Sequence, residues 1–260
     1  MNTSVEYIAN FKTTLDPYNG LTIQSEDLPQ NIFDFEKNLI ILVNELKNTR
    51  NLIWIYIDIL KADFIPITTK HGFTFHSCNS DYILLVKVLK ENAIVPTLAN
   101  HTLGVGAIVI NKNNQILLIK EIIRNEYYKL PGGHIDDAEM ISSALSREVF
   151  EETGVVVEFE KIISLGHFYP HQFAKSNLYI LCKATPKSSK INIKDKKEIS
   201  EAAWMDLDEM FLRNDIHEYT KTIVKSALKE GGLYKGEEEI LSHLKNQFEL
   251  FFLKESKNQI

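Results

Sequence analysis

The segment SREVFEETG, Ser146 to Gly154, sets Glu148, Glu151 and Glu152 within two helical turns and then stops at a glycine. At about 100° per residue, positions three and four apart share a helix face. Glu148 therefore shares a face with both Glu151 and Glu152, at roughly 0.2–0.5 kcal/mol of repulsion per pair. Gly154 reads as the helix stop, and the helix dipole disfavours negative charge at that end. The apolar stripe Met140, Ile141, Ala144 and Leu145 continues at helical spacing straight into the acids. They extend the face that should pack inward. Taken alone, such a run is ordinary surface charge, because glutamate forms helices well. Yet three local rules are broken at one place, and such breaks mark function. A divalent cation turns the repulsion into shared coordination, and Mg²⁺ and Mn²⁺ favour carboxylate and water oxygens. The surrounding residues decide between the two readings.

Several elements must position that helix. TLGVGAIVIN and QILLIKEI read as strands joined by NKNN as a hairpin, and YYKLPGGHIDDA as the loop that leads into the helix EMISSALSREVFEET. VVVEFEKIISLGHFY and NLYILCKATP are further strands, SSKINIKDKKEISEA is a charged loop, and AWMDLDEM follows it. From about Asn214 the chain reads as two helices around GGLYKGEE. Upstream, residues 1–35 are polar with a turn at DPYNG. DFEKNLIILVNELKNT has helical spacing, LIWIYIDI and DYILLVKVL read as strands, and ADFIPITTKHGF as a short helix ending at Gly72. KENAIVPTLANH, around Pro96, reads as a linker. The expected division is residues 1–95, residues 96–215 and a helical extension over 216–260, the whole an α/β chain with a sandwich of mixed sheet and helices.

The 260 residues are 44% hydrophobic and 25% charged, a globular profile. A net charge of −6 lacks the basic surface that phosphate backbones need, so no nucleic-acid partner is expected. It leaves room for a nucleotide carried on a metal. Cys78 and Cys182 form no motif, which suits a reduced, cytoplasmic setting and buried packing. The start MNTSVEYIANFK lacks a basic beginning and an apolar core, so no signal peptide is expected there. The longest apolar run, NLIWIYIDILKADFIPI, contains Asp58, Lys61 and Asp63 and is too short and charged to span a bilayer. No membrane partner is expected.

Read as a spaced pattern, GGHIDDAEMISSALSREVFEETGV has Gly133, five residues, Glu139, seven residues, and then Arg147, Glu148, Val149, Glu151, Glu152, Gly154 and Val155. This resembles the Nudix box, with every fixed position filled, and a pattern of that length is specific. The resemblance implies a Nudix α/β/α sandwich and a metal-dependent hydrolase that holds Mg²⁺ or Mn²⁺ against a diphosphate. Carried over by position, Glu148 and Glu152 are metal ligands, Glu151 is a third ligand or aligns the water, and Gly132 joins the metal set. Arg147 would orient the glutamates, and Glu139 would pair with it or join the outer shell. Gly132 and Gly133 would let the backbone approach the phosphates. The general base would be a box glutamate or an acid on a later loop, where Glu198 and Glu201 are the candidates and Glu201 is placed in the catalytic set. Ala138 stands where many box sequences have glycine.

YNGLTI, HGFTFHS, HTLGVGAIVIN, YKLPGG and HQFAKSNLYILC resemble a two-domain branch of that family, over roughly residues 15–215. That branch includes a vertebrate growth-factor antisense protein and plant enzymes acting on ADP-ribose and NADH. It implies a small acetyltransferase-like α/β domain over residues 1–95. The glycine-rich pyrophosphate loop of acetyltransferases is missing, so no acetyl transfer is expected. The implied substrate is a nucleoside diphosphate linked to a group X, most simply ADP-ribose or NADH, cleaved to AMP and a phosphorylated product. Pro170, 15 residues beyond Val155, is a weak pointer the same way. Lys129 would meet a phosphate, and Tyr127, Tyr128 and Phe168 would stack a base, with His167 and His171 near the mouth. The alternatives are a pyrophosphatase for damaged nucleoside triphosphates or dinucleotides, and a nucleotide-sensing regulator with little turnover. A homodimer is expected from the family's habit.

Overall fold

The structure, a computed structural model, describes residues 4–123, 126–229, 231–235 and 251–253. It divides into two compact units, Met1–Ala99 and Asn100–Ile260.

The first unit is a six-stranded sheet with one long helix on a face. Its strands are β1 (Val5–Ile8), β2 (Phe11–Leu15), β3 (Gly20–Ile23), β4 (Leu52–Asp58), β5 (Thr74–Cys78) and β6 (Tyr82–Val88), in the order β1-β2-β3-β4-β6-β5. Helix α1 (Ile32–Leu46) starts where Asn31 caps the Phe33 N–H, and it buries Phe35, Leu39, Leu42 and Leu46 against Phe11, Leu21, Ile53 and Ile55. That is the spacing of one helix face. A short helix α2 (Ile65–Lys70) closes at Gly72, whose φ of +81° favours glycine. The segment expected to be a polar lead-in is instead three strands. The turn at DPYNG is real: Asp16 accepts the N–H groups of Tyr18 and Gly20.

The second unit holds the acidic helix. Its strands are β7 (His101–Val109), β8 (Gln115–Glu121), β9 (Gly132–His134), β10 (Val157–Phe168), β11 (Ser176–Pro186), β12 (Ile199–Asp206), β13 (Leu233–Lys235) and β14 (Phe251–Leu253). One sheet runs β14-β13-β10-β11-β7-β9, with β11 parallel to β7 and antiparallel to β10, and β12 pairs with β8. The expected β7–β8 hairpin forms only its turn. Asn111 N–H donates to the Gln115 carbonyl and Ile110 bridges Ile116, after which the two strands join different sheets. Helix α3 (Ile141–Thr153) carries the glutamates and ends at Gly154, which has the left-handed φ of +74°. Its Ala144, Leu145 and Val149 pack on Val105, Ala107 and Val109 of β7. Helices α4 (Leu207–Leu212) and α5 (Glu218–Ala227) follow, and α5 buries Ile223, Val224 and Ala227. The chain beyond α5 was expected to carry a further helix. The described residues there are the short strands β13 and β14, and the rest of that expectation lies outside the described residues.

Leu145 is fully buried between α3 and β7. Leu145→Ala should cost about 2–5 kcal/mol, read by chemical denaturation followed with the near-ultraviolet signal of Trp204.

Candidate active site

The cleft opens where β7, β9 and the loop 169–175 meet the loop before β12. It encloses about 740 Å³ and is lined by Gly104, Lys129, Gly132, Gly133, His171, Asn177, Tyr179 and Glu198, among others. Its polar floor is made by two strands. Gly132 pairs with Gly106 and Gly133 with Val105, and this β7–β9 contact brings the two glycines against the carboxyl ends of α3.

Glu152 is only 3% exposed, and its Oε2 accepts the Gly132 N–H at 2.7 Å. Burial pushes its pKa up to about 8, against the opposing pull of the Lys129 ammonium and the Gly132 N–H, with Glu148 and Glu198 adding repulsion. Glu148 lies against Gly133, where a Cβ would come within 2.7 Å of its carboxyl atoms. Its pKa is also raised by burial, opposed by the Arg147 hydrogen bond. Glu151 is half exposed. The stripe argument therefore holds for two of the three acids, and the third turns outward.

Arg147 is the organiser. Its guanidinium donates to Glu139 at 2.9 and 2.8 Å, to Glu148 at 2.9 Å, to Glu151 at 3.2 Å and to the His134 carbonyl at 3.0 Å. That pairing holds Arg147 protonated, Glu139 above all, and it keeps the Glu139 carboxyl below its ordinary range. Glu139 also accepts the Asp136 N–H, which closes the turn into the helix. Arg147→Ala should free the Glu139, Glu148 and Glu151 carboxylates at once and lower kcat about 10–100-fold with the fold kept, read by steady-state kinetics beside circular dichroism.

The Glu148 and Glu152 carboxylates suit a hard divalent cation: they are oxygen donors four residues apart on one face, and burial raises the proton affinity of both despite Arg147 and Lys129. Among the described residues no three His, Cys, Asp or Glu side chains converge as a ready-made cage. Arg147 holds Glu148 and Glu151, and Gly132 holds Glu152. Glu148 and Glu152 would be the holding pair, with the Gly132 backbone against Glu152 through its N–H.

The other predicted residues divide. Lys129 lines the cleft and ion-pairs with Glu121. Phe168 lies edge-to-face with Tyr219 in an adjoining apolar cavity of about 520 Å³, which shares Lys129, His171, Asn177 and Tyr179 with the cleft. Pro170 and His217 also line it. Tyr127 stacks on His217, ring centres 4.1 Å apart. Tyr128 is not a stacking platform. It is buried, with the Lys120 ammonium 4.3 Å and the Arg213 guanidinium 5.3 Å from its ring centre. Its hydroxyl donates to Glu201 at 2.6 Å, and burial together with that bond pushes its pKa up to about 12. Glu201 is thus engaged by Tyr128 and does not line the cleft, whereas Glu198 does.

Two wall residues were not singled out in the sequence. Tyr179 lies across β7 in a slot that exists because Gly104 and Gly106 lack side chains; a Cβ on either would meet its ring or hydroxyl within 2.7 Å. Glycines two apart in an otherwise apolar strand are the available signal for such a close neighbour. Asn177 is buried beside it and donates to the Thr102 hydroxyl at 2.8 Å. His171 buries an Nδ1 that has no hydrogen-bond partner among the described residues.

The sequence model of the NUDIX domain matches residues 100–226, and that of the Nudix hydrolase domain matches residues 11–89. The chain is 33% identical over 201 residues to Nudix hydrolase 8 of Arabidopsis thaliana, covering 75% of this chain and 54% of that protein. It is 33% identical over 208 residues to nucleoside diphosphate-linked moiety X motif 6 of Homo sapiens, covering 75% and 65%. With Nudix hydrolase 2 of Arabidopsis thaliana it shares 33% over 193 residues, covering 71% and 69%. The chain therefore spans between about half and two thirds of these relatives' own lengths.

Proposed function

The chain belongs to the Nudix hydrolase family, and from that membership we propose that it hydrolyses the diphosphate of a nucleoside diphosphate linked to a group X, with ADP-ribose or NADH as substrate. The observation that carries the reading is the pair of carboxylates, Glu152 buried and Glu148 partly buried, set against Gly132 and Gly133 on the floor of the cleft. A bound Mg²⁺ or Mn²⁺ would neutralise phosphate oxygens and lower the pKa of the attacking water. Glu148 and Glu152 would hold that charge, Arg147 fixes the Glu148 carboxyl, and Lys129, which lines the cleft, would face the phosphates. Gly133 leaves room for both carboxyl and substrate. The adjoining cavity, with Phe168, Pro170 and Tyr219, is of the size and apolar character that takes a flat ring. This supports a substrate with a base at that end, such as the adenine of ADP-ribose or NADH.

Glu198 is the general base in this reading, because it lines the cleft and faces the box carboxylates, while the Glu201 carboxyl is occupied by Tyr128. Glu198→Gln should lower kcat about 10²-fold or more. Glu201→Gln should leave kcat nearly unchanged. Equal losses in the two variants would remove Glu198 from the role.

The reading is tested by incubating the chain with ADP-ribose, NADH, NAD, coenzyme A and nucleoside triphosphates, with Mg²⁺ and Mn²⁺ separately. AMP from ADP-ribose or NADH, dependent on the cation, is expected. Turnover of triphosphates alone would move the substrate to the damaged-nucleotide class. Binding without turnover of any of them would leave a nucleotide sensor.

A further inference from the structure

A pair of histidines stands apart from the glutamate helix. His101 opens β7 and His167 lies near the end of β10, with β11 between those strands. Their side chains reach across β11, so that the Nε2 atoms are 3.0 Å apart and the ring centres 5.0 Å. Both residues are exposed. His101 Nδ1 lies 2.6 Å from the Asn100 Oδ1. A carbonyl oxygen only accepts, so Nδ1 carries the hydrogen and the His101 Nε2 presents a bare lone pair. His167 then supplies the single hydrogen between the two rings.

We propose that His101 and His167 chelate a borderline divalent cation, Zn²⁺, Cu²⁺ or Ni²⁺, through both Nε2 atoms, at a site separate from the glutamate cluster. The geometry suits it. Two metal–nitrogen bonds of about 2.0–2.1 Å place the nitrogens roughly 2.9 Å apart at a right angle and roughly 3.4 Å apart at a tetrahedral one. The observed separation falls within that span, and a cation bonded to both nitrogens would sit about 1.4 Å to one side of the line between them, displacing the shared hydrogen. His167 passes that hydrogen from Nε2 to Nδ1 by way of water, and both rings remain neutral ligands. Asn100 already provides the outer partner that metal-bound histidines have, fixing the tautomer and orientation of His101. Imidazole selects Zn²⁺, Cu²⁺ and Ni²⁺, whereas carboxylate and water select Mg²⁺ and Mn²⁺. The two sites therefore sort ions by ligand chemistry. An occupied pair would tie the start of β7 to the end of β10, next to the segment that carries Pro170 and His171 to the cavities.

The test titrates the untagged full chain with Cu²⁺ alone, then Zn²⁺ alone, followed by calorimetry and, for Cu²⁺, electron paramagnetic resonance. One ion per chain with nitrogen hyperfine structure is expected, undisturbed by excess Mg²⁺. Asn100→Ala should weaken binding about 10-fold or more. His101→Gln and His167→Gln should weaken it further, with circular dichroism unchanged. Glu148→Gln and Glu152→Gln should leave it intact. Binding that survives both histidine substitutions, or that disappears with the glutamates, overturns the assignment. So does the absence of any nitrogen-coordinated Cu²⁺ in the parent chain.

Discussion

Glu152→Gln is expected to lower kcat/KM by about 10³-fold while making the metal-free chain more stable at neutral and alkaline pH. The two effects come from one cause. Glu152 is buried, and among the described residues its carboxyl is offset chiefly by one backbone N–H and the nearby Lys129 charge. Burial raises its folded pKa to about 8, from an ordinary value of 4.5. Below the ordinary value both folded and unfolded chains are protonated at this group, and it contributes no pH dependence. As pH rises toward about 8 the unfolded chain releases its proton first, so stability falls throughout that window and levels off above it. At about 1.4 kcal/mol per unit the loss reaches several kcal/mol. Glutamine does not titrate, and its amide oxygen can still accept the Gly132 N–H, so the slope should vanish. Urea unfolding at pH 5 and pH 9 in the presence of a chelator reads this directly. A variant that is inactive but shows the parent's pH slope would mean that Glu152 is not the buried acid described. A variant that loses the slope and keeps its activity would remove Glu152 from the cation site.

That coupling of strain and use was partly legible in the sequence. The crowding of Glu148, Glu151 and Glu152 on an apolar stripe ending at Gly154 can be read from spacing alone, because helical geometry is local. The outward turn of Glu151 could not be read, since it depends on where Arg147 reaches. Three features of the fold were hidden for the same kind of reason. The β1–β2 turn uses Ala9 and Asn10, both at positive φ, and alanine there gives no turn signal. β7 and β8 look like a hairpin because their turn is one, but pairing with β11 and β12 draws them into different sheets. Tyr128, beside Lys129, has the composition of a stacking residue, yet Arg213 and Glu201 come to it from distant parts of the chain and Lys120 from β8. The choice between Glu198 and Glu201 turns on the same contact. Motif spacing locates chemistry that lies along one helix, and long-range packing decides which neighbours complete it.

The two adjacent glycines should separate what the fold needs from what the chemistry needs. Gly132 has a φ of +145°, and a Cβ there would lie 2.1 Å from the Val105 carbonyl oxygen. Backbone cannot give way cheaply, so Gly132→Ala should destabilise the chain by about 3 kcal/mol or more and lose activity with it. Gly133 takes no such φ, and what a Cβ would meet is the Glu148 carboxyl, its carbon and both oxygens at 2.7 Å. That group ends a side chain that can swing aside. Gly133→Ala should therefore keep its unfolding midpoint close to the parent's and lose about 10²–10³-fold in kcat/KM, because Glu148 is pushed from its place beside Arg147. Affinity for Mn²⁺, measured by electron paramagnetic resonance, should fall in the same variant. Glu148→Ala in the parent and in the Gly133→Ala background completes the cycle. If the methyl acts only through Glu148, the second substitution should add almost nothing to the first. Full additivity would mean that Gly133 serves the substrate directly, and an active Gly133→Ala chain would mean that the cation does not need the Glu148 carboxyl where the structure holds it.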